Sequence, residues 1–299
     1  MGLLVLASST GVVYIGGGPV APPVFPRPSS LVASSRLPSS TMSVIFHRIA
    51  NTLVYFLFLG SHLYSFLGPA KGTDFYGLHP TYITPASWAF AIWGLIHFLF
   101  GGFAIWQWLP GTEEIVHHGV AGWFILAALL SNFWLGYWQA GHLVLALFVL
   151  ILASGSVSIL YYQLTNLYPA ETLIQSVFVH APVSLWHGWL VFVFWINLLA
   201  VFVPANVDAD PSWIQVAVSV FVLIELIATA VGYTEYKSKY GDVAGAFVIT
   251  WTLAAIAANQ HNGWIHYTAI VGVIVVVLYA LGRPVRARRE SSEYQPILG

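Results

Sequence analysis

Cysteine is absent from all 299 residues, which excludes disulfides, thiolate catalysis and cysteine metal sites and leaves the redox compartment unread. Charge is nearly as scarce. Only 7% of residues are charged, against roughly 25% in an ordinary soluble domain, and 58% are hydrophobic. With 10 basic and 11 acidic residues, a net charge of -1 and a mean hydropathy of +0.79, the chain has no nucleic-acid footprint and is an integral membrane protein. No acid precedes Asp74, and the lysines Lys71, Lys237 and Lys239 all fall in connections. Without an intramembrane lysine there is no Schiff base for retinal. GxSxG, a phosphate-binding Walker loop, a glycine-rich dinucleotide fingerprint and HExxH are all missing.

What the chain has instead is eight apolar segments of about the length a bilayer needs, at 44–67, 84–108, 115–139, 142–163, 173–203, 213–233, 243–260 and 264–281. The expected fold class is all-α: a polytopic transmembrane helical bundle with short connections and antiparallel neighbours. In this eight-span count Arg27, Arg36, Arg48, Lys237, Lys239, Arg283, Arg286, Arg288 and Arg289 share one side and Lys71 alone takes the other. The positive-inside rule then puts both termini on the cytoplasmic side, or its equivalent in an organelle. Residues 1–41 are Ser, Pro and Gly rich and read as a disordered or processed leader, with Met42 a natural start. The bundle is expected over 42–283, and 284–299 reads as a polar, basic tail. Gly101-Gly102 and Gly245 suit close helix contacts, within the bundle or between the protomers of a homodimer.

Several groups do not belong in lipid. Glu225 is the carboxylate placed deepest in a span, where such a residue costs about 3 kcal/mol unless partnered or neutral. At about 1.5 Å per residue, His97 lies roughly 20 Å and Glu225 roughly 18 Å below the outer surface, while His180 is roughly 10 Å above the inner one. These three share a level and are the candidate acid–base groups. On the fifth span His180, Ser184 and His187 fall at i, i+4 and i+7, hence on one face, and Pro182 should bend the helix near Phe178. Two histidines and a glutamate are competent metal ligands, but no ligand spacing accompanies them and no metal is expected. No cofactor is required by these residues, although a single histidine could ligate haem. The 13 tryptophans, 15 tyrosines and 19 phenylalanines exceed what interfacial belts use.

The second span, Thr84-Pro-Ala-Ser-Trp-Ala-Phe-Ala-Ile-Trp-Gly-Leu-Ile-His-Phe-Leu-Phe-Gly-Gly-Phe-Ala104, resembles the opening signature of the tryptophan-rich sensory protein (TspO/MBR, translocator-protein) group. Pro85, Trp93, His97, Gly101 and Ala104 carry that likeness, with His97 where the group usually has tyrosine. Asn132, Trp134 and Trp138 resemble its third span, and Pro182, Ser184, Leu185, Trp186, Gly188, Trp189 and Asn197 resemble the fifth span of its longer, multi-span branch. The resemblance implies a bundle with an aromatic-lined cavity that takes porphyrins, sterols or other hydrophobic ligands. Glu225 has no counterpart in the pattern.

Three functions are compatible with these residues. The first is binding or transport of a flat hydrophobic molecule, porphyrin, sterol or isoprenoid-like, in a pocket between the second, third, fifth and sixth spans. Trp88, Trp93, Asn132, Trp134, Ser184, Trp186, His187, Trp189 and Asn197 would be its ligand-binding residues. The second is an intramembrane isoprenoid cyclase with Glu225 as the acid. A proton-coupled transporter pairing Glu225 with His97 or His180 is the third. The expected partners are the lipid bilayer and a small hydrophobic ligand.

Overall fold

A computed structural model describes residues 41–67, 75–206, 209–236 and 241–293. Within them the chain forms eight helices, with bounds close to those the hydropathy predicts. They are α1 (Thr41–Leu67), α2 (Ser87–Trp106, opening as a 3₁₀ turn), α3 (Ile115–Val120 as a π-helical stretch, then Ala121–Gln139), α4 (Leu143–Leu167), α5 (Leu173–Phe202), α6 (Trp213–Glu235), α7 (Val243–Asn259) and α8 (Gly263–Glu293). Six of them, all but α3 and α7, are long and apolar enough by length and composition to cross a membrane. Of the expected leader at 1–41 only Thr41, the first residue of α1, is among the described residues, and the last residues of the tail, 294–299, lie outside them. α8 does not stop where its apolar stretch ends but runs through Pro284 to Glu293.

The helix starts obey local chemistry. Thr172 and Gln175 form a reciprocal capping box at α5, and Ser212 and Gln215 form another at α6, each answering amide groups that no preceding turn can. Asp242 caps α7 by accepting from Gly245 N at 3.2 Å. Pro182 supplies no N–H, so the carbonyls one turn earlier lose a partner. The backbone answers by widening into a π-helical stretch over Ser176–His180 rather than by breaking. Two more π-helical stretches, Ile115–Val120 and Gln163–Leu167, lie at the start of α3 and the end of α4. All three fall at the same end of the bundle, here called basal, where α1, α3, α5 and α7 begin.

α5 is the central helix, with the most deeply buried apolar stretch of the six. α2, α4 and α7 pack around it, α1 lies over α2 and α3, and α6 and α8 pack on α7 with α6 only grazing α5. Glycines set the closest approaches. A Cβ on Gly102 of α2 would meet the Phe178 ring at 2.1 Å, and one on Gly188 of α5 would meet Val248 at 2.5 Å and the Gly245 carbonyl at 3.0 Å. Gly245 in turn lies under the Tyr233 ring. Gly102 and Gly245 thus serve contacts inside the bundle.

Polar side chains join the ends. At the basal end the buried Gln107 of α2 accepts from Asn51 at 3.2 Å and donates to Thr52 at 2.9 Å, while Arg48 reaches Thr112 at 3.0 Å and Glu113 at 3.1 Å. At the other end the segment before α2 folds onto the bundle. Trp138 donates to the Phe75 carbonyl at 3.0 Å, Ala86 N to Ala255 O at 2.9 Å, and Trp251 to the Ala89 carbonyl at 2.9 Å.

Candidate functional site

The two faces of α5 carry different chemistry. One face looks toward α1 and α2 through aromatic rings. Phe58 of α1 touches Trp93, His97, His62 and Trp186, with ring centroids 5.5, 5.2, 4.7 and 5.1 Å away. Trp93 in turn lies 4.1 Å from His62, 5.4 Å from His97 and 6.3 Å from Trp189. Phe100 and Phe124 close the cluster against Trp186. Edge-on and tilted geometries dominate, as the ring quadrupoles favour.

Inside this cluster are polar atoms with nothing to bond. His97 is buried, and neither Nδ1 nor Nε2 has a hydrogen-bond partner among the described residues. The indole N–H groups of Trp186 and Trp189, both fully buried, are equally unanswered. An orphaned buried polar group costs about 1–3 kcal/mol, so the packing of rings is offset by these four atoms. The space beside them is closed. A seam of about 170 Å³ lined by Phe100, Phe103, Val120, Phe124, Val179 and Val183 is too narrow for a water molecule. A depression of about 790 Å³ around Tyr137, His142 and Phe148 is an open apolar surface at the α3–α4 turn and has no part in the cluster.

The other face of α5 looks toward α4, α6 and α7 through hydrogen bonds. Tyr161 and Ser184 both donate to Asp242 Oδ2 at 2.7 Å, while Oδ1 caps α7. The Tyr161 ring stacks on His187, centroids 4.7 Å apart and planes 5° from parallel. Ser158 gives its one proton to the Ser154 carbonyl at 2.8 Å, so at 3.0 Å it accepts from His187 Nε2–H. The remaining Nδ1 of His187 then accepts from the Tyr233 hydroxyl. Every atom of this network is used, and it ties four helices together at the basal end.

The expected site residues divide between these places. Trp93, His97, Trp186 and Trp189 come together in the aromatic cluster. Ser184 and His187 stand on the opposite face of α5, in the Asp242 network. His180 is buried in the π-helical stretch, which changes the angular step along α5 and so alters the face read from a regular 3.6-residue period. Trp134 and Asn197 bond each other at 3.0 Å between α3 and α5, and Asn197 also donates to the Leu143 carbonyl. Asn132 accepts from Ser61 of α1. Trp88 is largely exposed and packs edge-on against Trp251 of α7. Glu225 is half-buried on α6, which packs on α7 and α8, away from the cluster that holds His97. Among the described residues no group of three or more His, Asp or Glu side chains is arranged to hold a metal.

Sequence reasoning passed over Asp242, Tyr161 and Tyr233, and over Phe58 and His62 on α1. Asp242 follows a glycine in a polar connection and reads as a surface helix cap, yet it is buried. Its one signal is that a capping Asp after Gly241, which has φ of 72°, fixes where α7 begins against its neighbours.

A polytopic helical bundle whose central helix carries a ring cluster on one side and a polar lock on the other is a multi-pass membrane protein with a candidate ligand site in its interior. The profile of the family described as TSPO-like protein matches residues 48–282, and the chain belongs to that family. No curated protein and no solved structure matches the chain significantly.

Proposed function

We propose that this protein binds a flat hydrophobic ligand, of porphyrin, sterol or isoprenoid-like size and shape, among the rings of α1, α2 and α5. The observation that carries the reading is the pairing of aromatic faces, which stack on planar molecules, with the unanswered nitrogens of His97, Trp186 and Trp189, which a ligand's polar atoms would satisfy. Family membership supports it. The closed packing favours a binding site over an open passage, and the ligand enters by parting α1 from α2. α1 is suited to that movement, because little of its apolar stretch is buried and its rings, Phe58 and His62, form the outer wall of the cluster. The charge bias puts both termini on the cytoplasmic side or its organellar equivalent.

The test is a mass spectrum of the small molecules that accompany the protein out of its native membrane, taken beside the His97→Phe variant. A flat hydrophobic molecule should travel with the native protein and fall by about tenfold in the variant. If neither preparation carries one, the reading is wrong.

A further inference from the structure

We infer that the ligand of the α1–α2–α5 cluster is a neutral flat ring bearing two carbonyl oxygens, a molecule of the quinone type. The inference rests on the binding reading above and adds the chemistry that the orphaned atoms require. Indole nitrogen donates and never accepts, so Trp186 and Trp189 present two N–H groups that acceptors alone can answer. They stand three residues apart on α5, about 4.5 Å along the helix axis, on the side that meets Trp93 and Phe58. A neutral His97 adds one further N–H and one bare nitrogen. At the edge, His62 Nδ1 donates to the Phe58 carbonyl at 3.0 Å, which in a neutral ring leaves Nε2 an acceptor.

The orphaned atoms therefore number three donors against one acceptor, and the complement is a ligand rich in acceptors. An oxygen-free hydrocarbon answers none of them. A sterol's single hydroxyl oxygen, with two lone pairs, leaves at least one of the three donors unanswered. Carboxylates, as on a porphyrin's side arms, would answer donors but would bring charge beside rings where α2 and α5 hold no lysine or arginine to balance it. Carbonyl oxygens on a conjugated ring accept without charge, and the ring stacks on Trp93 and Phe58.

The experiment is calorimetric titration of the purified full chain in detergent with four probes: 2-methyl-1,4-naphthoquinone, its oxygen-free counterpart 2-methylnaphthalene, cholesterol and protoporphyrin IX. The absence of cysteine removes thiol addition to the quinone as a source of heat. The naphthoquinone should bind about tenfold tighter than the hydrocarbon, or more, the worth of one to two hydrogen bonds. In Trp186→Phe and Trp189→Phe, which keep a ring and remove the N–H, that ratio should fall toward one, while Trp264→Phe on the exposed end of α8 keeps it. A ratio near one in the native protein overturns the inference, as does a ratio that survives both indole substitutions together. Binding of cholesterol or protoporphyrin without the naphthoquinone overturns the ligand class and leaves the binding reading standing. If none of the four binds, both fall. Should the tryptophan variants not fold, the native ratio decides alone.

Discussion

Replacing Asp242 by alanine should separate the two halves of the bundle at the basal end. The carboxylate takes two hydroxyl bonds of 2.7 Å, from Tyr161 of α4 and Ser184 of α5, and one amide bond from the first turn of α7. Side-chain hydrogen bonds between membrane helices average about 0.6 kcal/mol and reach about 1.7, and bonds to a charged acceptor belong at the upper end. Taking about 1.5 kcal/mol for each hydroxyl and about 1 for the lost cap gives about 4 kcal/mol for Asp242→Ala. Asparagine can keep its one oxygen on both hydroxyls and turn its NH₂ to the place of Oδ1, so Asp242→Asn should lose chiefly the cap, about 1 kcal/mol. Tyr161→Phe removes one donor and should cost about 1.5 kcal/mol. Because both changes break the same bond, the Asp242→Ala/Tyr161→Phe double variant should be less destabilised than the sum by about 1.5 kcal/mol. The assay is reversible unfolding in mixed micelles, followed by helical circular dichroism. Strict additivity of the two changes, or a loss under about 1 kcal/mol for Asp242→Ala, would refute the claim that this carboxylate holds α4 and α5 to α7.

Two further outcomes follow from the packing and the charges. Gly188→Ala places a methyl 2.5 Å from Val248 Cγ1 and 3.0 Å from the Gly245 carbonyl, and should destabilise by about 1–3 kcal/mol in the same unfolding assay. Adding Val248→Ala should restore only part of the loss, since the backbone oxygen stays; full recovery would mean the α5–α7 approach is soft. Glu113, in the connection before α3, has its carboxyl held below the usual range, first by its own backbone N–H and then by the Arg48 guanidinium 3.1 Å away. A depressed carboxyl stabilises above its unfolded pKa and loses that contribution as pH falls through the folded one. The unfolding midpoint should therefore drop slightly as the pH is lowered below about 4, the normal carboxylate range. The side chain is 47% exposed, so the effect is a few tenths of a kcal/mol and should vanish in Glu113→Gln.

The spans were legible from composition because a bilayer imposes one length and one polarity on every crossing, and all eight helices fall where the apolar segments do. Local punctuation was legible too: Pro182 marked the place where α5 departs from regular α-helix, though the departure is a widening. Facing was not. In water a helix advertises its buried side by an apolar stripe, whereas α4, α5 and α7 are apolar all round, and a helix bathed in lipid needs no such stripe. Hence Trp88 and Trp93, five residues apart on α2, look equivalent in sequence while one packs near the surface on α7 and the other lies in the ring cluster. The same blindness hid Phe58 and His62, ordinary members of an apolar run until α1 lies over α2.

Amino-acid order alone determined that this is a multi-pass helical membrane protein, where its helices lie, and that α5 with its Pro182, Trp186 and Trp189 would matter, because each of those rests on local polarity and backbone chemistry. Tertiary structure decided which groups meet. It gave Ser184 to Asp242 and His187 to Tyr233, set Glu225 apart from His97, and enclosed the unanswered nitrogens of His97, Trp186 and Trp189 among rings, because those outcomes depend on how apolar helices rotate against one another. That rotation is fixed by glycine contacts and by hydrogen bonds between residues far apart in the chain, such as Ser184 with Asp242.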